Sequence, residues 1–210
     1  MSQKIKIMIL GGARENGKNM YAVQVEDEIF IMDAGLKYPD SSLLGIDVVI
    51  PDLDFFRDYG DKIAGIFLTH GHADSIGALP YILRDYDIPV FGSKLTIELA
   101  KIAVQRENRR RKNDLFHVID ADTEIEFKNA NVSFFKTTHS IPDSLGIDIS
   151  TKEGEIVYTG DFKFDPSAKD GFRTDFVRLS EIAQKGVLAL LSDSTNAEAN
   201  FPNDRQDRKS

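Results

Sequence analysis

The chain has no cysteine among its 210 residues, so neither a disulfide framework nor a thiolate metal site is open to it. It also lacks any long apolar run. The longest near its C-terminal end, residues 187–191, is far too short to span a bilayer. The opening Met1-Ser2-Gln3-Lys4-Ile5-Lys6 leads into an apolar stretch too brief for a secretory signal. These absences point to a cytoplasmic protein with no membrane partner. Positive charge is short as well: 26 Lys and Arg face 34 Asp and Glu, for a net charge of -8 and a pI near 5.0. That is the wrong sign for a chain that coats itself with nucleic acid. Any such contact must come from a local basic patch, another domain, a bound cation or a partner. Internal repeats and low-complexity segments are absent, and histidine occurs only four times.

What remains is an ordinary globular composition, 41% hydrophobic and 29% charged, long enough for one well-packed domain or for a domain and the start of another. Residues 4–10 read as a first strand that stops at Gly11-Gly12. Residues 20–25 and 28–32 read as a hairpin closed by Asp33-Ala34-Gly35, and 36–60 as a long irregular stretch. Residues 63–68 form a short apolar strand that ends at Thr69-His70. Helical patterning covers 76–86, with Pro80 in its first turns, and a second helix runs from an N-cap at Ser93 toward Arg109 after a short strand at 89–91. Strands follow at 117–119, 124–127, 132–136, 145–150 and 155–159, then a helix over 174–184 that ends at Gly186. Residues 187–191 read as a buried strand delivering Ser192-Asp193-Ser194. The last residues, 196–210, are polar with no apolar period, as in an interrupted chain. Strands alternating with helices, and polar clusters at strand ends, predict a layered α/β fold.

The strongest chemical signal is Thr69-His70-Gly71-His72-Ala73-Asp74-Ser75. Alternate side chains of an extended loop point the same way, so His70, His72 and Asp74 can converge on one point. Imidazole nitrogen and carboxylate oxygen suit borderline cations such as zinc or manganese. Taken alone, the pattern also fits two loop histidines and a helix-capping aspartate. Two further strand ends carry ligand-type residues: Thr137-Thr138-His139-Ser140 and Tyr158-Thr159-Gly160-Asp161. Three such clusters are hard to explain by packing alone. His117 has no such neighbours and reads as structural or surface.

The order D-A-G, T-H-G-H-x-D, T-x-H-S and T-G-D resembles the metallo-β-lactamase superfamily. Finer blocks narrow the likeness: Gly17-Lys18-Asn19-Met20, Leu44 through Asp52, Tyr158 through Asp165, and Leu191-Ser192-Asp193-Ser194-Thr195-Asn196. Over residues 1–200 the chain resembles ribonuclease J, of the β-CASP branch. The resemblance implies an αββα sandwich of which this chain is the N-terminal portion. Residues 1–196 would belong to the metallo-β-lactamase domain, and 197–210 would start the connection to a β-CASP domain. It implies that His70, His72 and His139 hold a first metal, that Asp74 holds a second, and that Asp161 bridges the two. Asp74 and Asp161 are then the candidate catalytic residues. Zinc is the implied cation, with manganese or magnesium as alternatives, and RNA is the implied partner. The family pattern H-x-H-x-D-H departs here, because Ser75 stands where a histidine ligand is expected. With Arg14-Glu15-Asn16, that departure resembles a weakly active paralogue that works beside a more active sister subunit. The implied function is a 5′-exonucleolytic and endonucleolytic ribonuclease with a degraded second site. The alternatives are a scaffold for an active sister and another hydrolase of this fold, such as a thioester or lactam hydrolase. Self-association into homo-oligomers is expected from exposed apolar surface, and the resemblance implies hetero-oligomers with the sister.

Two other motifs compete for attention. Residues 12–19 resemble a phosphate-binding loop, except that Asn19 replaces the magnesium-binding hydroxyl and a strand follows where a helix is needed. A tight glycine loop beside the metal site is the expected role. The basic tract 106–112 is accounted for by a solvated helix end, with RNA contact as the competing reading. Asp33 and Asp193, also at strand ends, are expected to orient loops around the site.

Overall fold

The computed structural model describes residues 2–40, 43–107, 113–165, 167–169, 171–195 and 197. The basic tract beyond Glu107 and the proposed connection after 197 lie outside the described residues.

Apolar residues on both faces of the early strands dictate a sheet covered on both sides. Strands β1 (Ile5–Gly11), β2 (Met20–Val25) and β3 (Glu28–Met32) form an antiparallel meander. Helix α1 (Asp54–Tyr59) leads to β4 (Ile63–Phe67), and α2 (Ala73–Ile76) and α3 (Leu79–Asp85) lead to β5 (Val90–Gly92). Helix α4 (Lys94–Glu107) leads to β6 (Phe116–Val118). The six strands lie in sequence order, with β3 to β6 parallel. A second sheet runs β11-β10-β9-β8-β7, from β7 (Glu124–Glu126), β8 (Asn131–Lys136), β9 (Leu145–Thr151), β10 (Gly154–Tyr158) and β11 (Val187–Leu191), with α5 (Phe176–Lys185) before the last strand.

The period-2 alternation of the strands sorts their side chains into three apolar layers. Ile29, Ile31, Ile66 and Leu68 face outward onto Phe56, Leu79, Ile82 and Ile97 of the helices. Phe30, Met32 and Phe67 face inward onto Phe134, Ile147, Ile149 and Ile156 of the second sheet. On that sheet's far side Phe135 and Val157 meet Ile182 of α5. Helices outside two facing sheets make the α/β sandwich that the resemblance implies.

Three expectations need correction. The stretch 36–60 contains α1, held because Phe56 is fully buried while Phe55 stacks on Tyr59 at 4.9 Å. The helix over 76–86 is α3, which starts only at Leu79 and is preceded by the separate turn α2, since the Ala78 amide donates to Ala34 O at 2.7 Å. Strand β11 is not buried: Val187, Leu188 and Leu190 are 45%, 50% and 63% exposed, because among the described residues it lies at the sheet edge with little packed over those side chains.

Candidate metal centre

The site is assembled where β4, β8 and β10 end. Beyond β4, Thr69 is fixed by Asp33 at the end of β3. The Asp33 carboxylate accepts from the Thr69 amide at 2.8 Å, from the Thr69 hydroxyl at 2.9 and 3.0 Å, and from the Tyr158 hydroxyl at 2.9 Å. These bonds hold Asp33 at a φ of 59°, a left-handed conformation that a side chain disfavours unless its surroundings impose it. The chain then runs through His70 and an extended His72, whose carbonyl accepts the first bonds of α2. Asp74 therefore sits in the first turn of α2 and Ser75 follows it.

The D-A-G sequence has a steric cause. A Cβ on Gly35 would lie 1.5 Å from the Asp74 carbonyl oxygen, so only glycine lets this strand end pass the ligand loop. The Leu36 amide donates to Ala73 O and the Ala34 amide to Ser75 O, at 2.9 and 2.8 Å. The glycine loop 12–19 completes the clamp: the Asn19 amide donates to Asp74 O at 3.0 Å, and β2 follows directly. It braces the site, as expected, and opens no helix.

His139 follows β8 in a loop tied to its neighbours. The Leu145 amide donates to Thr69 O at 2.8 Å, and the Thr138 hydroxyl donates to Phe172 O at 2.9 Å. Asp161 follows β10 through Gly160, which has a φ of 57°; a Cβ there would meet the Thr69 side chain at 2.7 Å.

The fold thus brings together every sequence-predicted ligand. The rings of His70, His72 and His139 lie with centroids 4.7 to 5.0 Å apart, at 74° to 89° to one another. One ligand atom from each of these three lies within 4.8 Å of the others, and the same holds for His70, Asp74 and Asp161. His139 Nε2 is 3.2 Å from His72 Nδ1 and 4.0 Å from Asp161 Oδ2. His70 Nε2 is 3.6 Å from Asp74 Oδ1, and both atoms are buried without a hydrogen-bond partner among the described residues. Buried nitrogen and oxygen atoms left unpartnered beside each other fit a cation that would satisfy both.

The electrostatics agree. Burial, helped by the neighbouring His139 and His72, drives the His70 imidazole down to about 3, so it stays neutral. Burial, then Asp74 and Asp193, push the Asp161 carboxyl up to about 7, and burial raises Asp74 as well. Carboxylates crowded together in this way call for a compensating positive charge.

Thr69 sets which histidine nitrogen faces the site. Its hydroxyl lies 2.9 Å from His70 Nδ1. A hydroxyl that spends its one proton on the Asp33 carboxylate can only accept from the ring, so Nδ1 carries the hydrogen and Nε2 keeps its lone pair. Ser75 is fully buried, and its Oγ lies 3.4 Å from that same Nδ1, on the side of the ring turned toward Thr69. Asp33 orients the ligand loop as expected. Asp193 is half-buried, its amide donates to the Thr159 hydroxyl, and its charge acts on Asp161. His117 is exposed and stacks on Phe91 at 4.9 Å, away from the cluster. Sequence reasoning missed Thr69 and Tyr158 as the partners of Asp33. Both stand inside the quoted motifs, but nothing in their spacing shows a shared hydrogen bond.

The profile of the Metallo-beta-lactamase superfamily matches residues 13–199. The chain is 61% identical to Ribonuclease J 2 of Streptococcus pyogenes over 196 residues, 93% of this chain and 35% of that protein. It is 51% identical over 197 residues to Ribonuclease J 2 of Staphylococcus aureus, 94% of this chain and again 35% of the relative. The chain therefore spans about a third of the length of the curated relatives it matches. Among solved structures, the metallo-β-lactamase fold protein YhfI of Bacillus subtilis superposes with a TM-score of 0.54 at 18% identity, covering 90% of this chain and 84% of that one. A protein of unknown function from Enterococcus faecalis superposes with a TM-score of 0.58 at 19% identity, covering 78% and 44%. These two likenesses show the fold.

Proposed function

We propose that this chain, which belongs to the metallo-β-lactamase superfamily, carries the metal-binding part of an RNA-hydrolysing enzyme of the ribonuclease J type. The observation that carries the reading is the convergence of three neutral-capable imidazoles and two carboxylates on one point, with His70 Nε2 and Asp74 Oδ1 buried and unpartnered. His70, His72 and His139 would hold a first cation, Asp161 would bridge, and Asp74 would serve a second. Zinc suits this donor set best, and manganese is the runner-up. A bound cation of this kind supplies Lewis acidity toward a phosphate and lowers the pKa of its water. The chain's own residues do the positioning. Thr69 and Asp33 hold His70 in one tautomer, the Gly35 clamp fixes Asp74, and Gly160 sets Asp161 against Thr69.

The position of Ser75 supports a second reading of the same site. Its hydroxyl contacts His70 Nδ1, so the second cation is left with carboxylates and with whatever His70 shares. Weak catalysis follows, and so does the scaffold role beside an active sister ribonuclease. That partnership and a cytoplasmic location rest on the family likeness and the missing cysteines; the described residues include no helix long and apolar enough to cross a membrane.

The test pairs elemental analysis with cleavage of a 5′-labelled RNA, on the protein and on Ser75→His. About one metal per chain and slow cleavage, with both rising in Ser75→His, are expected. Two tightly held metals and brisk cleavage in the parent would sink the degraded-site reading. No metal and no cleavage in either protein would sink the nuclease reading itself.

A further inference from the structure

A hollow of about 560 Å³ opens beside the metal centre, with His139 in its wall. It is bounded by the start of α4, the loop after β6, the His139 loop and, further along, Lys163, Asp165, Lys169 and Phe172. Its lining is of two kinds. Lys94, Lys136 and Lys169 contribute ammonium groups that have no ion-pair partner among the described residues, whereas Lys163 is paired with Asp165 at 3.3 Å. Val118 and Phe172, both lining the hollow, are 56% and 47% exposed and offer apolar surface. Three uncommitted cations around one hollow stand out in a chain of net charge -8. Three aspartates also border it: Asp165 is held by Lys163, while Asp120, bonded to the Thr123 hydroxyl at 2.7 Å, and Asp143 keep their charge, so the four lysines leave the hollow with a small positive excess.

We infer that this hollow seats a nucleotide of a single-stranded RNA next to the cleaved linkage, with Lys94, Lys136 and Lys169 on its phosphates and its base against Val118 and Phe172. The inference rests on the nuclease reading above and adds where the strand runs: out of the metal centre on the His139 side. A hollow of this size holds one nucleotide with room for a neighbouring phosphate. Single-stranded nucleic acid is recognised by this combination, cations along the backbone and apolar or aromatic surface under the bases. An acidic chain can hold a polyanion where its local cations are free of internal partners.

The test is fluorescence anisotropy with a short, phosphorothioate-linked single-stranded RNA on the zinc-loaded protein, across a salt series. The triple variant Lys94→Gln/Lys136→Gln/Lys169→Gln is compared with Lys6→Gln/Lys62→Gln/Lys152→Gln, which makes the same charge change elsewhere. Each phosphate contact on a single strand contributes about 0.7 to the slope of log affinity against log salt. The hollow variant should therefore lose about 2 from that slope and bind about 10- to 100-fold more weakly at 0.1 M salt, with the control triple near the parent. Equal affinity and slope in parent and hollow variant, or equal losses in both triples, would overturn the assignment. A 4-thiouridine strand should crosslink to peptides carrying Val118 or Phe172; adducts confined to other surfaces would overturn it too. A parent that neither binds nor cuts RNA refutes the nuclease reading, an outcome distinct from binding that ignores the three lysines.

Discussion

Replacing Thr69 with valine keeps shape and burial but deletes the hydroxyl between Asp33 and His70. Thr69 is 1% exposed, so water does not enter to replace the lost bonds. Asp33 would keep the Thr69 amide at 2.8 Å and Tyr158 at 2.9 Å, so it stays hydrogen-bonded. His70 Nδ1 would keep only the Ser75 hydroxyl, at 3.4 Å. A buried donor left so poorly paired costs about 1–3 kcal/mol, and the lower half of that range applies because Asp33 retains two donors. Metal affinity should fall further than stability suggests, by about 10- to 100-fold, because the ring loses the bond that fixes its tautomer and orientation. Competition with a chromophoric zinc chelator measures the affinity, and urea denaturation of the metal-free proteins measures the stability. Thr69→Ser restores the hydroxyl and should recover both. The reasoning fails if Thr69→Val binds zinc as tightly as the parent, or if Thr69→Ser is as damaged as valine.

Two further outcomes follow from other parts of the fold. Gly35→Ala would place a methyl group 1.5 Å from the Asp74 carbonyl. We expect a loss of about 4 kcal/mol or more in urea denaturation, together with lost metal content; a normal melt with normal zinc would contradict the clamp. Asp148 is fully buried between β8 and β10, and burial together with the neighbouring Glu155 pushes its carboxyl up to about 7. Its folded pKa exceeds the unfolded value, so its contribution is fully present below about pH 4 and is lost as pH rises to about 7. Asp148→Asn should flatten that decline and be more stable than the parent at pH 8. Denaturation midpoints of the two proteins that run parallel from pH 5 to 8 would refute it.

Much of the fold was legible because strand periodicity is a local signal. Ile29 and Ile31 alternate with Phe30 and Met32, and that alternation sorts them between the helix layer and the inter-sheet layer. The candidate ligands His70, His139 and Asp161 were legible because each follows an apolar strand end; Asp74, read as part of an extended loop, instead sits in the first turn of α2. What stayed hidden depends on partners distant in sequence. The apolar run at 187–191 looks buried, yet exposure is decided by what packs over a strand's faces, and among the described residues little covers Val187, Leu188 and Leu190 on this edge strand. The helical pattern through 76–86 is continuous, yet Gly77 packs so closely on Leu36, and Ala78 bonds so directly to Ala34, that the turn breaks. The substitution at Ser75 was visible; that its hydroxyl turns to the Nδ1 side of His70 was not.

Thr69 also explains how ligands from three strand ends stay within a cation's reach. Its amide and hydroxyl are held by Asp33, which sets the H-x-H loop. Its carbonyl accepts from Leu145, which closes the loop carrying His139. Its side chain fills the space that a Cβ on Gly160 would need, which seats the turn carrying Asp161. One small buried residue thus touches every loop that presents a ligand, and Tyr158 reaches the same Asp33 from the second sheet. The proposed histidine site would consequently be anchored to both sheets at once. The proposed second site would lean more on α2, a single turn whose Ser75 Oγ lies 3.4 Å from His70 Nδ1. A chain built this way can lose the second site by one substitution in α2 while the histidine site keeps its full set of supports. That asymmetry is why a change at Ser75 should act first on the proposed second site, whereas a change at Thr69 should disturb both sites.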